Sequence, residues 1–144
     1  MQVITECNEQ QRISLQQSMH RDCVVCRSAR LKGLGIQVHA NADGSVEGTF
    51  DCHPFYQGYH GILHGGVISA ILDGAMTNCL FAHGKSGVTA RLIIRFLKPV
   101  AADGTVTIKA RLCDYSPPLY VLEAELSQDG NVLTQATAKF MDYE

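Results

Sequence analysis

The chain has 144 residues, 46% of them hydrophobic, and a formal net charge of −2. That size suits one domain with its own core, yet small enough that an oligomer interface would help. The weak negative charge argues against non-specific binding to nucleic acid or to anionic membranes, and the longest apolar run, near residues 67–72, is too short to cross a bilayer.

No charged-then-apolar leader opens the sequence, so a cytoplasmic location is expected. The six cysteines then read as reduced thiols and not as a disulfide framework. Residues 1–29 form an N-terminal arm, and residues 30–144 form the main domain. Within the arm, residues 1–22 are polar and glutamine-rich, with Ile4, Ile13, Leu15 and Met19 at loosely helical spacing. They read as a short helix or a partly ordered arm. His20 and the Cys23-Val24-Val25-Cys26 pair follow.

Strand character spans residues 31–40 and 46–52, joined by a hairpin turn at Asn41-Ala42-Asp43-Gly44. A loop rich in Pro, Gly and aromatic residues covers 53–61. From Val67 to Ala82 the chain reads as a helix of about four turns, apolar on nearly every face, as in a helix buried at a domain centre. Residues 88–97 alternate, with Ala90, Leu92, Ile94 and Phe96 on one face and Thr89, Arg91, Ile93 and Arg95 on the other. Pro99 ends that strand's pairing. A turn at 102–104 leads into a strand over 105–113, and Pro117-Pro118 breaks the chain. Tyr120, Leu122, Ala124 and Leu126 then line one face of a strand, and Val132, Thr134, Ala136, Ala138 and Phe140 line the last. The expected fold is α+β, an antiparallel sheet of about six strands wrapped around one long central helix.

Two features do not belong in a purely structural core helix. Asp73 is a carboxylate set among Ile71, Leu72, Ala75 and Met76, and an ionised buried carboxylate costs several kcal/mol unless it has a partner or a task. A structural reading would bond it to a nearby backbone group or to Asn78. The helix entry is His64-Gly65-Gly66. Two glycines there expose backbone N–H groups at the positive end of the helix dipole and let another molecule come close. At a rise of ~1.5 Å per residue, His64 and Asp73 lie about 13 Å apart along the axis. One bound carbonyl cannot touch both, so joint action requires a second copy and points to a dimer with shared sites.

His64-Gly65-Gly66 followed by Asp73, with Thr89-Ala90-Arg91 leading to Pro99 behind it, resembles the PaaI-type acyl-CoA thioesterases of the hotdog-fold superfamily over roughly residues 30–142. The resemblance implies the hotdog fold and hydrolysis of an acyl-CoA to a free acid and coenzyme A. It makes Asp73 a general base on water or a nucleophile on the thioester carbonyl. Gly65 and Gly66 become oxyanion donors, His64 orders that loop or bonds the carbonyl, and Thr89 helps hold the attacking water. The sequence departs from the family pattern twice. Where some relatives carry an Asn six residues before the histidine it has Gly58, with Gln57 adjacent as a stand-in, and where many carry a Glu after the acid it has Gly74.

Arg91, Arg95 and Lys98, with Lys85 near the strand's other end, suit the phosphates of coenzyme A or form a solvated strand face. His20, Cys23 and Cys26 resemble half a zinc knuckle. The only second pair in reach is the adjacent Cys52-His53, awkward for a tetrahedral site, so a metal-free, reduced pair is expected and no cofactor is assigned. The expected partners are an acyl-CoA and further copies of the chain. The rival readings are a non-catalytic acyl-CoA-binding or sensing hotdog domain and a small zinc-stabilised interaction domain.

Overall fold

The computed structural model describes residues 7–143; Ile4 and the rest of the first six residues lie outside that range. Two helices and six strands follow in the order α1 (Glu9–Met19), β1 (Gln37–Ala40), β2 (Ser45–Asp51), α2 (Gly65–Ala82), β3 (Gly87–Phe96), β4 (Thr105–Ser116), β5 (Leu119–Gln128) and β6 (Asn131–Asp142). The strands form a single antiparallel sheet in the order β1-β2-β4-β5-β6-β3. The expected α+β outline is therefore the observed one.

Alternation along the strands builds the core. Val106, Ile108 and Ala110 of β4, Tyr120, Leu122 and Leu126 of β5, and Ala136, Ala138 and Phe140 of β6 all turn inward and are buried. They close on Ile68, Ile71, Leu72, Ala75, Met76, Cys79 and Leu80 of α2. The helix has the length and hydropathy of a membrane span, but two-thirds of it is buried as core.

Several details differ from the sequence expectation. The strand expected from residue 31 begins at Gln37, because Ala29–Leu31 forms a 3-10 turn capped by Ser28. On β6 the register shifts against β5 between Leu126 and Ser127, so Leu133 is buried while Val132 is partly exposed. Pro117-Pro118 does not break the sheet but forms, with a cis peptide, the tight turn of the β4–β5 hairpin.

The N-terminal arm contains a helix, docked through polar groups. Asn8 caps α1 by accepting from the N–H groups of Gln10 and Gln11 at 2.8 and 3.2 Å, a local preference of Asn at that position. Ile13 and Leu15 are only half-buried and Met19 is exposed. The buried residue is Arg12, which donates to Asn78 Oδ1 at 3.0 Å and pairs with Glu9 at 2.7 Å. A buried guanidinium holds there because its carboxylate partner comes with it.

Candidate active site

The start of α2 faces a cleft of about 660 Å³ bordered by Tyr59, His64, Gly65, Ile68, Phe96 and Lys98, within the range of small-molecule sites. The helix begins two residues earlier than the apolar pattern alone suggests, with His64 as its N-cap. His64 Nδ1 accepts the N–H of Gly66 at 2.8 Å. A neutral imidazole that accepts at Nδ1 carries its proton on Nε2, so His64 can still donate a hydrogen bond. Glycine at position 66 keeps this cap uncrowded, since a Cβ there would lie 3.1 Å from the His64 ring, tighter than an ordinary contact.

The same bond takes Gly66 out of the set of unengaged donors. Among the described residues, no acceptor is present for the N–H of Gly65 or of Val67, the first and third residues of the helix. These are the donors an α-helix leaves unsatisfied at its positive end. Gly65, with its N–H unengaged, borders the cleft, whereas the Gly66 N–H is taken up by the His64 cap.

Asp73 lies elsewhere on α2 and does not border this cleft. It is half-buried, and Thr89 Oγ1 donates to its Oδ1 at 2.5 Å. Burial is the main influence on the carboxyl and holds it above the usual carboxylate range; the Thr89 hydrogen bond and the nearby His20 oppose that shift. The result is a more basic carboxylate than one in water. Asn78, the partner of the structural reading, is engaged otherwise: it accepts from Arg12 and donates to the Gly74 carbonyl at 2.9 Å and to Cys26 Sγ at 3.3 Å.

Thr89 corrects the alternation expected for β3. The pairing with β6 shifts between Thr89 and Arg91, so Thr89 opposes Phe140 while Leu92 opposes Ala138. Phe140 and Ala138 face the helix. Thr89 therefore shares the helix side with Leu92 and Ile94, and not the arginine side. A β-bulge re-aims a side chain in this way, and the extra residue is Ala90.

Arg91 and Arg95 keep the opposite, exposed face of β3, away from the cleft that Lys98 borders. The cluster is split in one chain. Gln57 does not border that cleft either; its Oε1 accepts from the Gly61 N–H at 3.0 Å and holds the loop before α2. Gly74 also has a local reason. A Cβ there would sit 2.6 Å from Val25 Cγ1, so its bareness admits the N-terminal segment onto α2.

Near Asp73 lies a group that the sequence pattern only half defined. The donor atoms of His20, Cys23 and Cys26 all lie within 4.8 Å of one another. His20 also meets Phe81 edge-on at 5.1 Å. Burial pushes the Cys26 thiol up to about 12. Arg12 and Asn78, the pair that joins α1 to α2, had no distinguishing sequence signal beyond polarity.

A sheet of this order curled round one long helix, with an open glycine-started helix end on a cleft, is the hotdog architecture. The family profile described as the thioesterase superfamily matches residues 60–134, and the chain belongs to that superfamily. It is similar to the acyl-coenzyme A thioesterase THEM4 of Bos taurus, 36% identical over 83 residues, which are 56% of this chain and 34% of the bovine protein. The chain thus spans about a third of that relative's length. A phenylacetic acid degradation-related protein from Ralstonia eutropha JMP134 superposes with a TM-score of 0.70 at 30% identity, covering 80% of this chain and 90% of that one. The PaaI protein of E. coli, from the phenylacetic acid degradation operon, shares the fold at a TM-score of 0.78 and 20% identity over 94% of this chain and 96% of its own.

Proposed function

We propose that the protein is an acyl-CoA thioesterase, hydrolysing the thioester to a free acid and coenzyme A. The observation that carries the proposal is the pairing of a half-buried Asp73, raised in basicity by burial, with the Thr89 hydroxyl. Superfamily membership and the likeness to a relative named as an acyl-coenzyme A thioesterase support the substrate class.

In this reading the thioester oxygen sits at the start of α2, held by the Gly65 N–H and by Nε2–H of His64. Asp73 takes a proton from water, or attacks the carbonyl carbon itself, and Thr89 orients the carboxylate or the water. The tetrahedral oxyanion collapses with loss of the CoA thiolate, which leaves as the thiol once protonated. Attack by Asp73 would give an anhydride that water then cleaves. Donors fixed beforehand where charge develops stabilise the transition state more than the substrate. Lys98 borders the same cleft and suits a phosphate of coenzyme A. Arg91 and Arg95 on the outer face of the strand serve the same end where that face meets the bound nucleotide.

Each site is built from two chains. Among the described residues, no carboxylate of the same chain borders the cleft at the helix start, whereas reacting groups must approach to roughly 3–3.5 Å. A partner's Asp73 supplies the missing acid. The edge strand β3 supports this arrangement: among the described residues it has a neighbour on one side only, and it exposes Val88, Ile93 and Phe96. An unpaired apolar edge is a template for a second copy, and a two-fold axis would create two equal sites.

The test is release of free thiol from short, medium, long and aromatic acyl-CoAs. Turnover of at least one class, lost in Asp73→Asn, supports the proposal. Tight binding of acyl-CoA without thiol release by the wild type would favour the sensing module instead.

A further inference from the structure

We propose that His20, Cys23 and Cys26 form a binding site for a thiophilic divalent cation, zinc in the first instance, held on the segment between α1 and β1 beside Asn78 of α2. The sequence expectation of a metal-free pair rested on the lack of a second Cys pair. The structure gathers the three donors already named, His20 included, at one point without that second pair.

Geometry comes first. The three donor atoms lie within 4.8 Å of one another. In a tetrahedral site with Zn–S bonds of about 2.3 Å, neighbouring sulfurs sit roughly 3.8 Å apart, so small side-chain rotations close the gap. The backbone is already folded for it. The Cys23 N–H donates to the His20 carbonyl at 3.2 Å, and the Arg27 N–H to the Cys23 carbonyl at 2.8 Å. These turns bring a three-residue spacing, repeated twice, to one point.

Two further observations point to an occupant. His20 Nδ1 is buried and has no hydrogen-bond partner among the described residues, although buried polar atoms are nearly always partnered. Cys26 Sγ receives a hydrogen bond from Asn78 Nδ2 at 3.3 Å. Asn78 is itself fixed by Arg12 and by the Gly74 carbonyl. Amide donors held onto a sulfur are the outer partners that orient a metal-bound thiolate.

Charge also balances. A divalent cation entering the site displaces the two thiol protons to solvent, forming two metal–sulfur bonds and one metal–nitrogen bond. Two thiolates then cancel the ion's charge, and the neutral imidazole adds none, so no net charge is buried. Sulfur and imidazole donors select zinc-like ions over magnesium or calcium. Three protein donors leave a fourth position for water. Cys26 also borders a cleft with Cys52 and His53, which gives solvent a route.

The full chain, reduced and stripped with a chelator, is titrated with zinc alone and with cobalt as a spectroscopic probe. The expected result is one equivalent per chain and an intense thiolate-to-cobalt charge-transfer band. Cys23→Ser and Cys26→Ser should each abolish the band and weaken zinc binding by at least about 100-fold, the upper figure for losing only an outer partner. Cys52→Ser and Cys113→Ser should leave both unchanged. Should a ligand variant fail to fold, thiol alkylation of the wild type decides: zinc should protect Cys23 and Cys26 and leave Cys113 reactive. A folded, reduced chain that takes up no zinc, or binding that survives both serine substitutions, overturns the proposal. None of these readouts depends on thioesterase activity.

Discussion

The Thr89 hydroxyl reaches the Asp73 carboxylate at 2.5 Å because one extra residue, Ala90, interrupts the pairing of β3 with β6. Without the bulge Thr89 would point to the face of Arg91 and Arg95. Thr89→Val, which keeps the shape and removes the hydroxyl, should lower kcat by about 10- to 100-fold, the worth of a hydrogen bond to a charged group. Thr89→Ser should restore most of it. Steady-state thiol release with both variants checks this.

The raised proton affinity of Asp73 has a sign for activity and a sign for stability. A carboxylate that must be ionised to act loses activity as pH falls through its raised folded-state pKa. The acid limb of kcat/KM should therefore lie above the ordinary carboxylate range and vanish from the residual activity of Asp73→Asn.

For stability, a raised folded pKa means that the native state binds the proton more tightly than the unfolded chain. That contribution is fully present below the unfolded pKa and is lost as pH rises through the folded one. At neutral pH the ionised Asp73 is therefore a cost to folding. Asp73→Asn retains an acceptor for Thr89 and should raise Tm at pH 7, with the advantage shrinking in acid. Thermal unfolding across pH measures it; a variant less stable than wild type at pH 7 would contradict this sign.

Gly74 makes room for Val25. Placing a Cβ 2.6 Å from Val25 Cγ1 should make Gly74→Ala less stable by about 1–3 kcal/mol, the usual cost of overpacking. Val25→Ala in the same chain should recover much of that loss, because the two sites share one contact. Urea denaturation of the two single variants and the double variant closes the cycle.

The regular part of the fold was legible because strand alternation and an all-round apolar helix are direct statements of burial. Tyr120, Leu122 and Leu126 face inward as their spacing requires. The misreadings fall where one residue breaks a period. Ala90 moves Thr89 across the sheet, and the shift near Leu126 exposes Val132 while burying Leu133. A bulge carries no strong signal in a single sequence, since both registers satisfy the same composition. Of the candidate site, His64, Gly65 and Lys98 meet at one cleft, as Asp73 and Thr89 meet at another point. The engagement of Gly66 with His64 and of Gln57 with Gly61 depends on loop geometry that spacing does not encode. Arg12 and Asn78 were hidden because a buried polar pair looks like surface until both elements are placed.

Shared sites predict complementation. Asp73→Ala and a variant combining His64→Ala with Gly65→Pro should each be inactive as homodimers. Refolded together, mixed dimers would carry both defects in one site and none in the other, recovering up to about half of native activity per mixed dimer if the sites are independent. Tagged pull-down confirms mixing; mixed dimers without activity would refute the two-chain site.

The most direct measurement of the central claim is the turnover of Asp73→Asn on an acyl-CoA that the wild type hydrolyses, with coenzyme A binding measured beside it. The substitution keeps size and the Thr89 contact while removing the charge. The account predicts a folded protein, binding within about threefold of wild type, and kcat lower by at least about 100-fold, the lower end for loss of a general base. Turnover close to that of the wild type would make Asp73 a structural residue and contradict the account.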